Sequence, residues 1–522
     1  MTTQNEMHPQ RWGDPAAASA LPESARGLIE LVFGIDEKPS AQGAVPPEPV
    51  IGADGVAALA AVVGDEHVLL DDATRALRTR GKSTPDLLRA RAGDLGDAPD
   101  VVVRPADQGE IERLLAVAVA HNLAVVPFGG GTSVTGGLVA ARAAYDGVVS
   151  LDLVRMKALV SVDRESMTAT LEPGLRGPEA EALLSEHGLT LGHYPQSFQY
   201  ASIGGFAATR SSGQSSAGYG RFDALVVGLS VVTPSGTISA GSAPASAAGP
   251  DLRQVFLGSE GTLGVITSVT VRVRELPAVK EYVGWRWPSF DAGAAAMRTL
   301  AQAGLLPTVI RLSDEAETAI NLADPSAIGQ DNPGCLMITG FEGAPSAVAA
   351  RRRAVSALLI ELGGVDLGEE PGEKWAHGRF DAPYLRDSLL DVGVLVETLE
   401  TATFWSNRAR LYADVKAALE TSLGEGSIVL CHISHVYETG CSLYFTIAAK
   451  EQDDPLAQWS VAKAAASDAM IAAGATITHH HAVGTDHKPW FAQEIGPVGV
   501  QVLRAIKSSL DPAGVLNPGV LV

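Results

Sequence analysis

Short apolar runs, turns and helical segments alternate from about residue 99 onward, and the pattern predicts a mixed α+β unit. VVVRP (101–105) is an apolar run closed by proline, which is typical of a buried strand. LAVVPF (123–128) is a second such run. Helical spacing is found at 109–122 and 179–189. The remaining predicted strands are 147–152, 158–163, 167–172 and 269–276.

The chain beyond about residue 281 repeats a different pattern, in which a strand, a long helix and a strand follow one another. YVGWRW, DAGAAAMRTLAQAG and TVIRLSD are the first example. The order recurs at 335–340 with 344–362 and at 442–449 with 456–473. Such alternation predicts an antiparallel sheet covered on one face by helices. In CSLYFTI (441–447), Tyr444 and Thr446 alternate with apolar residues, so both are expected on the face opposite the helices.

These changes of pattern divide the chain into four predicted parts. Residues 1–96 form an N-terminal arm and helical segment, in which 14–56 are rich in Ala, Pro and Glu. A strand-rich domain covers 97–277, and a second domain covers 278–494. Residues 495–522 contain one helix (498–510) and a turn-rich ending that we expect to return to the first domain.

Composition excludes several classes of protein. Of 522 residues, 46% are hydrophobic and 19% are charged, as in a globular protein. The net charge of −21 argues against nucleic acid or an anionic membrane as a bulk partner. No apolar run approaches the ~20 residues of a spanning helix. Neither a signal peptide nor a peroxisomal SKL ending is present, and three cysteines are too few for a disulfide framework, so we expect a cytoplasmic protein with peripheral membrane contact left open.

A glycine loop, PFGGGTSVTGG (127–137), follows the second buried strand. Three consecutive glycines let the backbone approach a ligand closely, and their N–H groups can form a nest for phosphate oxygens. Thr132 and Ser133 add hydroxyl donors. The loop fits neither GxGxxG nor a Walker sequence, and taken alone it is also compatible with a plain tight turn.

Two further glycine-rich segments, 196–220 and 258–267, indicate an extended ligand with a pyrophosphate. FGGGTSVTGG, IGGFAATRSSG and GSEGTLGVIT resemble the FAD-binding (PCMH-type) domain of the vanillyl-alcohol oxidase superfamily over about 97–277. The resemblance implies an α+β fold with a two-part FAD-binding domain and a cap domain at 278–494. It also implies an extended FAD with its isoalloxazine toward the cap. The first loop has no histidine or cysteine, so we expect the FAD to be non-covalent.

The resemblance assigns FAD-binding residues position by position. The residues on the pyrophosphate are Pro127, Phe128, Gly129, Gly130, Gly131, Thr132 and Ser133. Those along the flavin are Gln196, Ser197, Ser202, Thr209, Arg210, Ser211 and Ser212. Those over the adenine and ribitol side are Glu260, Gly261, Thr262, Leu263, Gly264, Val265 and Ile266.

The most unusual segment of the cap is THHHAVG (478–484). If it is a strand, His479 and His481 share one face and His480 lies on the other. A polar strand end with incidental histidines and a metal site are the alternatives. Related D-lactate and glycolate dehydrogenases usually carry a GDGNxH segment that supplies a further ligand, and this chain has none. His432 and His435 in CHISH would point to opposite faces of a strand, so no metal site is predicted.

Several other motifs resemble the alkyldihydroxyacetonephosphate synthase (alkylglycerone-phosphate synthase) family. They are IRLSDE (310–315), PYLRDSLLD (383–391), SHVYETGCSLYF (434–445), THHHAVG, RWG (11–13) and LDPAGVLNPG (510–519). The resemblance places the family's active-site arginines on Arg311 and Arg386 and its catalytic tyrosine on Tyr444. Its histidine triplet falls on His479, His480 and His481. Taken singly, these would be surface or packing residues.

That family exchanges the acyl group of acyl-dihydroxyacetone phosphate for a fatty alcohol, which forms the ether bond of ether lipids with no net redox change. The implied partners are a phosphorylated lipid-like substrate and a fatty alcohol, and a homodimer is left open. A neutral imidazole suits proton removal, arginines suit phosphate, and a phenol whose pKa is lowered by Arg386 or a histidine suits the leaving carboxylate. The alternatives are an FAD-linked oxidase or dehydrogenase of a 2-hydroxy acid or lipophilic alcohol, and a flavin-binding protein without turnover.

Overall fold

The computed structural model describes residues 6–17, 21, 23–321 and 334–522. Its N-terminal part is helical, and two of the helices begin at side chains that accept hydrogen bonds from the first turn. Asp71 accepts from the backbone N–H of Thr74, and Ser83 exchanges hydrogen bonds with Asp86. The helices are α1 (Glu23–Val32), α2 (Ala53–Val63), α3 (Asp72–Leu77) and α4 (Thr84–Arg91).

A four-stranded sheet follows, and the glycine loop leaves it at the end of a buried strand. Its elements are β1 (Val68–Leu69), β2 (Val101–Val103), α5 (Gln108–Ala120), β3 (Leu123–Phe128) and β4 (Gly147–Asp152). The strand order is β1-β2-β4-β3, and β4 runs parallel to both β2 and β3. The apolar runs of β2 to β4 are buried, as parallel strands covered on both faces require.

A second, five-stranded antiparallel sheet has the order β5-β6-β10-β8-β9. The predicted helix 179–189 ends earlier, because Gly188 (φ 68°) turns the chain into a short strand. The strands of this sheet are β5 (Leu159–Asp163), β6 (Thr168–Leu171), β8 (Val226–Thr233), β9 (Gly236–Ala240) and β10 (Val265–Arg272). Two short strands, β7 (Leu189–Thr190) and β11 (Arg274–Glu275), pair with each other in a separate two-stranded sheet. The helices are α6 (Gly177–Ser185), α7 (Ile203–Ala208), α8 (Ser216–Tyr219), α9 (Phe222–Leu225) and α10 (Arg253–Phe256).

The cap contains a seven-stranded antiparallel sheet of order β15-β12-β14-β13-β17-β18-β16. Its strands are β12 (Val279–Trp287), β13 (Val309–Ser313), β14 (Cys335–Gly343), β15 (Val365–Asp366), β16 (Val394–Phe404), β17 (Ile428–Ile433) and β18 (Gly440–Lys450). Its helices are α11 (Phe290–Gln302), α12 (Glu315–Asn321), α13 (Pro345–Glu361), α14 (Glu370–Gly378), α15 (Ala382–Leu390), α16 (Arg408–Leu423) and α17 (Pro455–Ala472). The predicted α+β fold with a helix-covered antiparallel sheet is confirmed.

One face of the cap sheet packs on helices and the other carries polar side chains. Leu443, Phe445 and Ile447 of β18 are buried in one core with residues of α11, α13, α16 and α17. Tyr444 alternates with them and is only half-buried. The predicted alternation therefore matches the structure, and it turns Tyr444 away from the helices.

The C-terminal segment returns to the first sheet. Helix α18 (Lys488–Leu510) is broken at Gly496, which has a φ of 68° and precedes Pro497, so the predicted helix 498–510 is its second half. After α18, Val515 accepts a hydrogen bond from Val125 of β3, and Val125 accepts one from Asn517. No helix in the described part of the chain is long and apolar enough to cross a membrane.

Candidate active site

The three glycine-rich segments predicted to hold FAD converge in space. A Cβ on Gly129 would lie 2.3 Å from Ser202 Oγ, and one on Gly130 would lie 2.2 Å from the carbonyl oxygen of Tyr200. The glycine loop therefore packs directly on the start of α7. The third segment approaches the same loop through Gly261, where a Cβ would lie 2.9 Å from Pro127 Cγ. These contacts leave no room for larger residues.

The groups around this junction fit a ligand rich in polar atoms. Arg176 Nε, Gln196 Nε2 and Asn517 Oδ1 are buried and have no protein partner. Arg176 also donates to the carbonyl of Tyr200, and Asn517 to that of Gly137, so both side chains lie beside the converging segments. Buried polar groups in folded proteins nearly always have a partner. A dinucleotide such as FAD would satisfy them, and the residues that would hold it are those of the three segments.

Arg210 and Glu260, both predicted to contact FAD, have charged side chains that are engaged by other parts of the chain. The guanidinium of Arg210 donates to the carbonyls of Gln254 and Leu257. The carboxylate of Glu260 accepts from the backbone N–H groups of Val483 and Gly484, and burial raises its pKa to about 7. Glu260 therefore ties the third glycine segment to the chain that follows the histidine triplet.

Tyr444 lies between two polar residues of the neighbouring strands, because it pairs with Glu400 of β16 and with His432 of β17. The His432 ring stacks on Tyr444 with centroids 4.7 Å apart. Arg311 Nη2 lies 3.0 Å from His432 Nδ1 and 2.9 Å from Glu317 Oε1. Burial opposes ionisation of Glu317, but Arg311 and His432 still hold its pKa down to about 2. Arg311 is thus fixed by an ionised carboxylate beside Tyr444.

The protonation of Tyr444 differs from the prediction. Burial raises its pKa to about 12, and Glu400 and Glu397 act in the same direction. The cation that opposes this rise is Arg311. Arg386 donates instead to the carbonyl of Lys82, at 2.8 Å. The predicted lowering of this pKa is therefore wrong, and the phenol keeps its proton at neutral pH.

The histidine triplet is not a strand, so the predicted alternation of its faces is also wrong. The backbone N–H groups of His479, His480 and His481 all donate to the carboxylate of Glu400, at 2.6, 3.1 and 2.9 Å. Three consecutive N–H groups can surround one anion only where the backbone curves into a nest, whereas in a strand they alternate in direction. The hydroxyl of Thr478 donates to the same carboxylate.

The imidazole of His479 is buried, those of His480 and His481 are half-buried, and all three are neutral. His479 Nε2 lies 2.6 Å from the Tyr437 hydroxyl, and its Nδ1 lies 3.0 Å from His480 Nδ1. The rings of His480 and His481 lie 6.0 and 5.6 Å from that of Tyr444. Burial lowers the pKa of His480 to about 4 and also lowers that of the other two. His480 and His481 are therefore neutral bases beside a protonated phenol.

His432 and His435 serve different groups. His432 faces Tyr444, whereas His435 lies beyond the end of β17, with its Nδ1 3.1 Å from Ser212 Oγ. One ring nitrogen from each of His435, His479 and His480 falls within 4.8 Å of the others, a spacing that could hold a metal ion. The sequence did not predict this grouping, because it assumed extended strands at both places. The absence of a metal site stays a prediction.

The chain matches known flavoproteins along most of its length. The FAD binding domain family matches residues 99–241, and the family of FAD linked oxidases, C-terminal domain, matches residues 276–521. Alkyldihydroxyacetonephosphate synthase of Dictyostelium discoideum is 35% identical over 476 residues, which cover 87% of this chain and 78% of the relative. The chain belongs to the alkyldihydroxyacetonephosphate synthase family.

Two further comparisons agree. The synthase of Trypanosoma brucei brucei is 32% identical over 91% of this chain and 82% of its own. A solved alkyldihydroxyacetonephosphate synthase structure superposes with a TM-score of 0.85 at 30% identity and covers 98% of each chain. The resemblance read from the sequence is confirmed, and this member of the synthase family is a flavoenzyme whose cofactor is FAD.

The sequence did not predict several side chains that lie at the candidate site. Glu400 was not singled out, although an acidic residue in the apolar strand VLVETLETATF is a usable signal of a buried carboxylate. Glu317 and Tyr437 had no local signal, because their partners are distant in sequence. His193 is 1% exposed, with Nε2 3.0 Å from Ser211 Oγ and a buried Nδ1 that lacks a partner.

Proposed function

We propose that this enzyme exchanges the acyl group of acyl-dihydroxyacetone phosphate for a fatty alcohol at the polar face of the cap sheet. The observation that carries the proposal is the grouping of a protonated Tyr444, two neutral imidazoles and an anchored arginine around one site. His480 and His481 lie within 6.0 Å of Tyr444, ring to ring. The neutral imidazoles can accept a proton from one substrate atom, and the protonated phenol beside them can donate a proton to a leaving group.

The proton inventory of the exchange balances with these residues. A neutral imidazole of His480 or His481 takes the proton from the carbon next to the ketone. Tyr444 gives its proton to the carboxylate as the carbon–oxygen bond to the acyl group breaks. The alcohol oxygen then bonds to that carbon, its proton restores Tyr444, and the imidazole returns its own proton to carbon. Bound FAD would supply an electron-accepting ring beside that carbon, able to hold the electron pair of the broken carbon–hydrogen bond until the imidazole returns the proton. The flavin would therefore be in its oxidised state both before and after the exchange.

The arginines suit the anionic parts of the substrate. Arg386 Nε and Nη2 are buried without a protein partner, so they can bind a phosphate. Arg311 also has a buried, unpartnered Nε, while its Nη2 is held by Glu317. We assign Arg386 to the substrate phosphate and Arg311 to the negative charge that develops near Tyr444.

The test is an exchange assay with FAD-loaded protein, acyl-dihydroxyacetone phosphate and a fatty alcohol whose hydroxyl oxygen is isotopically labelled. Because the proposed step breaks the bond to the acyl oxygen, the ether product should retain the label. An unlabelled ether oxygen would contradict the bond assignment. Consumption of substrate with lasting flavin reduction and no ether would favour an oxidoreductase instead.

A further inference from the structure

The N-terminal segment 7–14, which contains the RWG motif, holds the cap helix that carries Arg386. Arg11 contacts Asp391 through two hydrogen bonds of 2.8 and 2.7 Å, and the backbone N–H of Trp12 donates to Asp387 at 2.5 Å. Asp387 is in α15 and Asp391 is the residue that follows its last turn. Arg386 is the neighbour of Asp387 in the same helix. A two-pronged, charge-assisted contact fixes both distance and orientation.

The same segment is attached to the flavin-binding part of the chain. The backbone N–H of Asp14 donates to the hydroxyl of Tyr200 at 3.0 Å, and this hydroxyl lies 3.3 Å from that of Tyr384 in α15. The Trp12 ring packs edge-on against Tyr200. Gly13 has a φ of 58°, and a Cβ there would lie 2.4 Å from the Tyr384 hydroxyl. Tyr200 lies between Ser197 and Ser202, two of the residues predicted to run along the flavin.

A third attachment passes through Lys82. Its ammonium group donates to the carbonyls of His8 and Pro9 at 2.7 and 3.1 Å. Its own carbonyl accepts from Arg386, and its backbone N–H donates to the carbonyl of Ser133 in the glycine loop. Lys82 is 5% exposed. One buried residue therefore connects segment 7–14, the Arg386 side chain and the glycine loop.

We propose that segment 7–14 is a positioning clamp that sets the place of Arg386 relative to the glycine loop and the flavin. The clamp acts through Arg386 and not by contacting the substrate. The inference rests on the proposed function, in which Arg386 binds the substrate phosphate. It explains why a motif near the start of the chain contributes to a site built by residues more than 300 positions later.

The experiment compares Arg11→Ala, Arg11→Lys and Gly13→Ala with the unchanged enzyme. Arg26→Ala is the matched control, because Arg26 forms an exposed ion pair with Glu37 outside the clamp. A 1 Å displacement of a binding group can cost about 100-fold. We therefore expect kcat/KM for exchange to fall roughly 10- to 100-fold, mainly through KM of the phosphorylated substrate, with unchanged flavin content. Arg11→Lys keeps the charge and should recover only part of the loss.

Two further readouts separate positioning from general destabilisation. In the Arg386→Lys background, Arg11→Ala should lower kcat/KM by less than about twofold, because the group through which it acts is already changed. A full, additive loss would overturn the clamp. Hydrogen exchange of the α15 amides should accelerate in Arg11→Ala while that of β10 stays constant. Unchanged hydrogen exchange in α15 would also overturn the clamp. This measurement does not depend on catalysis, so it tests the clamp even if the enzyme does not replace acyl by alkyl groups.

Discussion

Replacing Glu400 with glutamine tests whether one buried carboxylate organises the histidine segment. Oε1 of Glu400 accepts from the hydroxyl of Thr478 and from the N–H groups of His480 and His481, and Oε2 accepts from the N–H of His479. Glutamine keeps one acceptor oxygen, so its NH2 group must face one of these donors. The segment cannot satisfy all four donors in the variant.

The magnitude follows from the number and type of these hydrogen bonds. Loss of one charge-assisted bond costs about 1.5–3 kcal/mol, and the other three lose their charge assistance. Removing the buried charge offsets part of this free-energy cost, because the charge no longer has to be desolvated. We expect the native arrangement of residues 478–481 to be destabilised by about 3 kcal/mol net. If the active arrangement is disfavoured by that amount, exchange falls roughly 100-fold.

The assay measures kcat for exchange, flavin content and thermal stability of Glu400→Gln beside Glu397→Gln. Glu397 is a buried carboxylate of the same strand, but it accepts from the Trp459 indole and the N–H of Thr398. We expect the control to lose less than about threefold in kcat. Wild-type exchange in Glu400→Gln, or an equal loss in both variants, would refute the assigned role of Glu400.

Three other outcomes are expected. Arg311→Lys should strongly impair exchange while FAD binding persists, because the ammonium lacks the planar fork; unchanged kinetics with phosphorylated substrate would place Arg311 outside the site. EDTA should leave activity intact, and a loss restored by zinc or manganese would instead assign a metal to His435, His479 and His480. Because burial lowers the pKa of His480 to about 4 and also lowers that of His481, either base stays deprotonated, and kcat with saturating substrates should be flat from about pH 8 down to about pH 6; an acid limb of kcat centred near 6.5 would contradict this.

The parts of the structure that the sequence predicted well are those that leave a local pattern of residue types in the chain. Burial of Leu443, Phe445 and Ile447 on one face, with Tyr444 on the other, needed only the period of a strand. The glycine loop was recognisable because its contacts with Tyr200 and Ser202 exclude side chains, and that exclusion is visible as glycine in the sequence.

The histidine segment could not be predicted in the same way. Its backbone curves around the carboxylate of Glu400, which lies about 80 positions earlier in the chain. The spacing of residues near the histidines contains no sign of so distant a partner. The pKa of Tyr444 depended on burial and on two carboxylates, which the sequence does not place. The clamp is further still from local signals, since Arg11 and Asp391 are 380 residues apart. Side chains fixed by distant partners therefore required the structure.

Tyr444→Phe is the most direct test of the account's central claim, that this phenol donates the proton to the leaving carboxylate. The change removes one hydroxyl from a half-buried ring, so folding and FAD content should survive. General acid–base groups contribute about 10²–10⁴-fold, and exchange measured with saturating substrates should fall by at least about 100-fold. Unchanged turnover with a full complement of flavin would show that Tyr444 only packs against His432, and would contradict the mechanism.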